Sequence, residues 1–414
     1  MVSSGQRAVS RCDTLGAAPY SDMEDGLFRA WLTPAFAAAQ EAVAGWMAEA
    51  GMAVRIDAAT NLIGRYEGAT PDAPALLIGS HLDSVRDAGR YDGPLGVMLG
   101  IECVAALNAA GRRLPFAIEV IGFGDEEGSR FPSPMLASRA VAGSFDPASL
   151  SAIGLDGVTI EQALIAGRHP PDGFAGAARS PGSVIAYLEA HIEQGPALEA
   201  DGLAVGVVTG IASQLRYSVV VEGTAGHAGT TSMTLRRDAL TAAAEMILAV
   251  ERLAGGGTPD LVATVGRLEA RPGAVNVIPG RVAFSIDIRA LDPAARDAVA
   301  DAILAEIEAI GTWRKVSVSA ERIHDLPASP CDPRLMDLLS DAMAAEGQPE
   351  RRLASGAGHD AMVMASLCPT AMLFVRCAGG ISHNPAESVD PADAEVARRV
   401  MLGFIDRLGD SFDA

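Results

Sequence analysis

The side chains best suited to chemistry are His81, Asp92, the pair Glu126 and Glu127, His191 and His383, since imidazoles and carboxylates move protons and bind metal ions at neutral pH. They sit in Gly-rich or acidic motifs: Gly79-Ser80-His81-Leu82-Asp83-Ser84, Tyr91-Asp92-Gly93, Gly124-Asp125-Glu126-Glu127-Gly128, His191-Ile192-Glu193-Gln194-Gly195 and Ser382-His383-Asn384-Pro385. A lone His-x-Asp is more often an ordinary hydrogen-bonded pair than a metal site, and a run of acids is more often a solvated turn. Recurrence changes the balance. Mixed imidazole and carboxylate ligands suit Zn, Mn, Co or Ni, not Ca or Mg alone. Five such ligands exceed what one tetrahedral catalytic zinc needs, but they suit two ions sharing a carboxylate, which together activate water and polarise a carbonyl. Neighbouring glutamates can then supply one ligand and one base.

The elements around these motifs have a common order. An apolar run from Ala75 to Ile78 stops at Gly79, so His81 closes a buried strand, and Gly93 to Ala110 follows as a long apolar helix. Phe116 to Phe123 is a second strand and runs straight into the acidic motif. Val184 to Gly195 is a third, with Glu189, His191 and Glu193 alternating onto one face. A fourth, Thr370 to Cys377, precedes His383. Strand, loop and helix in repetition begin a βαβ arrangement, and open α/β sheets gather ligands at the carboxyl ends of their strands. Earlier in the chain a helix is predicted over 27–51, then paired strands at 53–57 and 61–66. Residues 143–182 show only a short helical piece at 161–165.

From about 210 to 327 the pattern is self-contained. Strands are predicted at 215–222, 261–268, 281–289 and 315–320, with helices at 236–254 and 294–310, which is the βαββαβ order of a ferredoxin-like fold. The fold class expected is α/β: a mixed-sheet catalytic domain with helices on both faces, from residues 1–209 and 328–414, with an inserted ferredoxin-like α+β domain at 210–327. Hinges are expected near 210 and 327.

Composition excludes several classes. A net charge of −20 repels nucleic acid and anionic lipid. No apolar run reaches the roughly 20 residues that span a bilayer, and the first 25 residues lack an apolar signal core, so no membrane partner and a cytoplasmic location are expected. The five cysteines form no C-x-x-C pair and read as buried thiols.

Taken with Gly226-His227-Ala228-Gly229-Thr230-Thr231, Asn276-Val277-Ile278-Pro279-Gly280 and Ser355-Gly356-Ala357-Gly358-His359-Asp360, the motifs from residue 60 onward resemble the amidohydrolase branch of the M20 metallopeptidase family. That branch holds allantoate amidohydrolases, N-carbamoyl-L-amino-acid hydrolases and β-ureidopropionases. Peptidases of the family typically carry Asp or Glu where His191 stands. The resemblance implies two divalent ions, Mn or Zn with Co also possible, one on His81, Asp92 and His191 and the other on Asp92, Glu127 and His383. Asp92 would bridge them, Asp83 would orient His81, and Glu126 would be the general base. It further implies a homodimer in which His227 reaches the partner's site to hold the oxyanion. Asn276 and Arg289 match substrate-binding positions, Arg289 gripping a carboxylate, which suits a guanidinium fork. Gln194, Gln214, Arg216, Gly358 and His359 match less firmly. Ser232 departs from the proline common in relatives, a change expected to touch only the entry to a helix.

The expected reaction is cleavage of the terminal ureido C–N bond of a carboxylate-bearing ureide. Gln214-Leu215-Arg216-Tyr217 is more like the allantoate branch, which puts allantoate first and N-carbamoyl-L-amino acids (or β-ureidopropionate) second. More distant alternatives are an aminoacylase or peptidase of the same family and an inactive structural homologue.

Overall fold

The computed structural model describes residues 2–412. The chain forms two compact units, one built from the residues up to Thr209, from Cys331–Leu353 and from Ala357 onward, the other from Gly210–Pro330 with Ala354–Gly356.

The first unit opens with helices α1 (Ser4–Leu15) and α2 (Pro34–Glu49) and strands β1 (Ala53–Ile56), β2 (Leu62–Tyr66) and β3 (Ala75–His81). Helix α3 (Pro94–Ala109), β4 (Ala117–Phe123), α4 (Leu136–Ala142), α5 (Ile160–Ala166), β5 (Val184–Ile192), α6 (Ala197–Asp201) and β6 (Val205–Ile211) follow. The second unit holds β7 (Ser213–Glu222), β8 (Gly226–His227), α7 (Ala239–Gly255), β9 (Val262–Thr264), β10 (Leu268–Arg271), β11 (Val277–Ile278), β12 (Arg281–Ala290), α8 (Pro293–Arg314), β13 (Ser317–Leu326) and β14 (Ser329–Pro330). The chain then finishes with α9 (Pro333–Ala345), β15 (Arg352–Ser355), α10 (Asp360–Met364), β16 (Thr370–Val375) and α11 (Pro391–Asp410).

In the first unit the strands lie in the order β1-β2-β4-β3-β5-β16-β6, a mixed sheet. Its centre, β4-β3-β5-β16, is parallel, and β2 and β6 flank it antiparallel. The parallel strands are buried along almost their whole length, only Ile185 of β5 being half-buried, which explains their largely apolar sequences. In register, His81 stands beside Phe123 and His191 beside Phe374, so all four central strands present their carboxyl ends along one edge of the sheet. The start of α3 is set by Gly93, whose φ of 85° suits glycine. A Cβ there would stand 2.5 Å from the His81 ring, so the same glycine lets the helix begin directly against that histidine.

The second unit has the strand order β10-β12-β7-β13, with β9 also on β12. With α7 and α8 as the crossovers, this is the split βαββαβ order. Leu215, Tyr217, Val219 and Val221 of β7 and Val282, Phe284, Ile286 and Ile288 of β12 pack against both helices. Each of those large side chains contributes about 1.5–3 kcal/mol when fully buried.

Several sequence expectations change. The predicted helix over 27–51 begins only at Pro34, where Thr33 caps it by accepting from the Phe36 amide. Leu27, Ala30 and Trp31 are buried from an irregular segment, which imitated helical spacing. Helix α1 carries an apolar stripe of Ala8, Val9, Cys12 and Leu15 among small and polar residues, too diluted to stand out. The strand expected at 261–268 is split into β9 and β10. Strand β5 ends at Ile192, so Glu193 leaves the face shared by Glu189 and His191 and accepts from the Ala197 and Leu198 amides at the start of α6. Ser232 precedes a single 3-10 turn, Met233–Leu235, and makes no side-chain cap. All five cysteines are buried free thiols. Among the described residues no helix is long and apolar enough to cross a membrane.

Candidate active site

The carboxyl edge of the first unit's sheet brings together His81 at the end of β3, Asp92 before α3, Glu126 and Glu127 after β4, His191 on β5 and His383 after β16. Asp92 is the centre. Its Oδ1 lies 3.0 Å from His191 Nε2 and 3.6 Å from His81 Nε2, while its Oδ2 lies 3.2 Å from His383 Nε2. Glu127 Oε1 is 3.6 Å from the same His383 nitrogen. Two ligand groups therefore share Asp92, one with His81 and His191 and the other with Glu127 and His383, their donor atoms within 4.8 Å of one another. Each oxygen of one carboxylate serves a different group, the disposition a bridging ligand needs.

The imidazoles are held in the right tautomer. His81 Nδ1 faces the Asp83 carbonyl at 3.0 Å and His191 Nδ1 faces the Ile192 carbonyl at 2.9 Å, so each Nδ1–H donates outward and leaves Nε2 as a lone pair on the site. His191 Nε2 is buried and makes no hydrogen bond of acceptable geometry. Three carboxylates, Asp92, Glu126 and Glu127, converge with three imidazoles, a donor set whose negative charge two divalent cations would balance. The residues present thus fit a two-ion centre.

Two other groups are geometrically close, His81 with both glutamates and Glu189 with His191 and His359. In the second, Glu189 is already satisfied: it accepts from Ser80 Oγ at 3.0 Å, Tyr187 OH at 3.1 Å and the Ala361 amide at 3.0 Å. It supports the site from behind.

Electrostatics follow from burial and crowding. Burial opposes ionisation of Asp92, yet His191, His383 and His81 outweigh it and hold its carboxyl well below the usual range. Burial likewise disfavours the His81 imidazolium, but Asp92, Glu126, Asp83 and Glu127 raise its pKa well above the ordinary value. Glu126 is pushed well up by burial, with Glu127, Asp360 and Asp83 adding to it and His81 opposing. Burial and then Asp92 raise Glu127 to about 7. Contact with Asp92 raises His383 to about 9. A carboxylate whose proton affinity is raised toward neutrality is what a general base requires.

The structure redistributes some expected roles. Asp83 meets His81 through its backbone carbonyl; its carboxylate is 3.7 Å from the ring and instead accepts the Glu126 and Glu127 amides, at 3.2 Å each. It thus holds both the histidine and the acidic turn. Gln194, expected to bind substrate, donates to Asp92 Oδ2 at 2.8 Å and to Ser382 Oγ at 3.2 Å, so its amide nitrogen is engaged behind the carboxylate. His359 is buried, its ring edge-on to His191 at 4.4 Å between centroids, and burial together with His191 holds its pKa well below the ordinary value. Gly358 lies in the loop just before it.

Sequence reasoning assigned no role to Glu387 or Ser382, although both lie within four residues of His383. Glu387 Oε1 accepts from the Tyr91 amide at 2.8 Å and the Asp92 amide at 3.2 Å, and Ser382 Oγ donates to Asp92 Oδ2 at 2.6 Å. Both fix the central carboxylate. Glu387→Gln keeps the shape but weakens that hold, and it is expected to lower metal affinity or activity by about 10–100-fold, as losses behind a ligand do. Metal titration followed by calorimetry reads the change; wild-type affinity and rate in the variant would remove Glu387 from the site.

The remaining candidates lie in the second unit and form two groups of their own. His227 on β8 pairs with Val277 on β11, next to Asn276, whose carbonyl accepts from the Ala228 amide. The His227 side chain is exposed, and its Nδ1 accepts from the Gly229 amide at 3.1 Å, which leaves Nε2–H as a donor. Gln214, Arg216 and Arg289 sit together on β7 and β12. Arg289 donates to Asp287 Oδ1 at 2.8 Å and Oδ2 at 3.0 Å, and Arg216 to Asp287 Oδ2 at 2.7 Å and Gln214 Oε1 at 3.2 Å.

The chain is similar to known proteins along most of its length. Residues 77–407 match the sequence profile of peptidase family M20/M25/M40. An N-carbamoyl-L-amino acid amidohydrolase of Geobacillus stearothermophilus is 42% identical over 397 residues, covering 96% of this chain and 97% of that protein. A probable allantoate deiminase of Oryza sativa subsp. japonica is 42% identical over 421 residues, covering 94% and 85%. A hydantoinase/carbamoylase family amidase from Burkholderia multivorans superposes with a TM-score of 0.90 at 35% identity, over 97% of both chains.

Proposed function

The chain belongs to peptidase family M20/M25/M40, and on that premise we propose that it hydrolyses the terminal ureido C–N bond of a small carboxylate-bearing ureide, with allantoate as the first choice. It is a hydrolase of C–N bonds other than peptide bonds. The observation that carries the reading is the pair of ligand groups meeting at Asp92 with Glu126 beside them.

His81, Asp92 and His191 would hold one divalent cation and Asp92, Glu127 and His383 the other, manganese or zinc, with cobalt also suited to these ligands. When bound, such ions supply Lewis acidity toward the ureido carbonyl and lower the pKa of water. Glu126 takes the proton of the attacking water and returns it to the departing ammonia. The oxyanion accepts a hydrogen bond from Nε2–H of the partner subunit's His227 in a homodimer. Ammonia leaves, and the carbamate that remains loses carbon dioxide to give the free amine. Arg289, with Asn276, holds the substrate carboxylate. The buried free thiols support a cytoplasmic setting.

N-carbamoyl-L-amino acids are the second reading, favoured by the identity to the Geobacillus protein, which equals that to the rice protein. Ammonia release by the manganese-reconstituted protein, with allantoate and a panel of N-carbamoyl-L-amino acids at equal concentration, tests both. Faster turnover of allantoate is expected. Preference for the carbamoyl amino acids reverses the ranking, and release of carboxylate from simple acyl amides with no ammonia from either ureide overturns the ureidase reading.

A further inference from the structure

Asp287 and Arg216 are direct cross-strand partners, as are Arg289 and Gln214. Leu215, Ile286 and Ile288 face the helices, so by strand alternation Gln214, Arg216, Asp287 and Arg289 form one patch on the opposite face of the sheet. Arg216, Asp287 and Arg289 of the patch line a cavity of about 490 Å³ whose other walls include Thr264, Ser285 and Gly356. Asp287 receives three N–H bonds there, two from Arg289 and one from Arg216, and Arg289 Nη1 also donates to the Gly356 carbonyl at 2.5 Å. Burial opposes ionisation of Asp287, but Arg289 and Arg216 prevail and hold its carboxyl below the usual range.

Two guanidiniums on adjacent strands would ordinarily repel, take several rotamers and attract dianions. One carboxylate between them changes all three. It locks both forks side by side, and it leaves the patch a single net positive charge. We infer that Asp287 is a positioning and specificity-determining residue, which aligns Arg216 and Arg289 and restricts the anion seat to ureides bearing one carboxylate. This rests on the reading that Arg289 holds the substrate carboxylate. A second carboxylate on the substrate meets Asp287 at close range, and like charges so placed are strongly disfavoured.

The matched probes are N-carbamoyl-L-asparagine and N-carbamoyl-L-aspartate, nearly isosteric and different by one charge. Wild type is expected to prefer the asparagine derivative. In Asp287→Asn the preference shifts toward the aspartate derivative by about ten-fold or more, carried by KM while kcat changes little, since a tenfold ratio needs only one well-placed like charge removed. Asp287→Glu, which keeps the charge, retains the wild-type preference. An unchanged ratio in Asp287→Asn, or equal losses for both probes, overturns the inference. Calorimetric titration of both probes into Glu126→Gln and into Glu126→Gln/Asp287→Asn reads the same ratio in Kd without turnover. If wild type releases no ammonia from any ureide, the proposed reaction falls while the Kd ratio still decides the charge of the seat.

Discussion

Glu126→Gln is expected to keep both metal ions bound and to lose turnover by about 10²–10⁴-fold, the usual worth of a positioned general base. Two features separate Glu126 from Asp92 and Glu127. Its Oε2 is 3.9 Å from His81 Nε2, farther than any contact Asp92 makes with an imidazole. Its neighbour Glu127 is the one paired with His383. Its backbone is fixed by Asp83, so the amide variant inherits the same placement. Glutamine is isosteric and already neutral, so it introduces no buried charge and little change in stability is expected. Metal content by atomic emission and ammonia release on one preparation decide the matter. Retained metal with full activity moves the base elsewhere, whereas loss of an ion makes Glu126 a ligand, as its proximity to His81 and Glu127 permits.

The legible part of this site is the part written locally. Apolar runs ending at Gly79, Phe123 and Ile192 are visible as buried strands, and once they are parallel their following residues must share an edge, which is why His81, the acidic pair and His191 were recognisable together. Alternation along 281–290 was equally plain, because one face of β12 is buried and the other is not. What escaped depends on partners distant in sequence. Glu387 acts on amides 296 and 295 residues away, and Ser382 on a carboxylate 290 residues away, contacts that no local pattern encodes. Asp83 does meet His81, but residue spacing cannot distinguish a carboxylate from the carbonyl of the same residue, and the fold uses the carbonyl for His81. Gln194 has a φ of 56° and turns its amide onto Asp92, a backbone state that its sequence neighbours do not announce.

His227→Ala is expected to lower kcat by about 10²–10³-fold, the cost of removing one donor to a developing oxyanion, with metal content unchanged. The tautomer supports this size of effect: the Gly229 amide fills Nδ1, so Nε2 carries the ring proton and is ready to donate without rearrangement. Exposure of the side chain, in a two-stranded ribbon of the second unit, suits a residue that works on another surface. Co-expression of Glu126→Gln with His227→Ala subunits distinguishes whose surface that is. If His227 acts across a homodimer, a mixed dimer contains one site with both defects and one with neither. Half the dimers are mixed at equal expression, so about a quarter of wild-type activity should return. If His227 acts within its own subunit, every site keeps one defect and mixing restores nothing. Recovery in the mixture would at once establish the dimer, the reach of His227 and the independence of the base from the oxyanion donor.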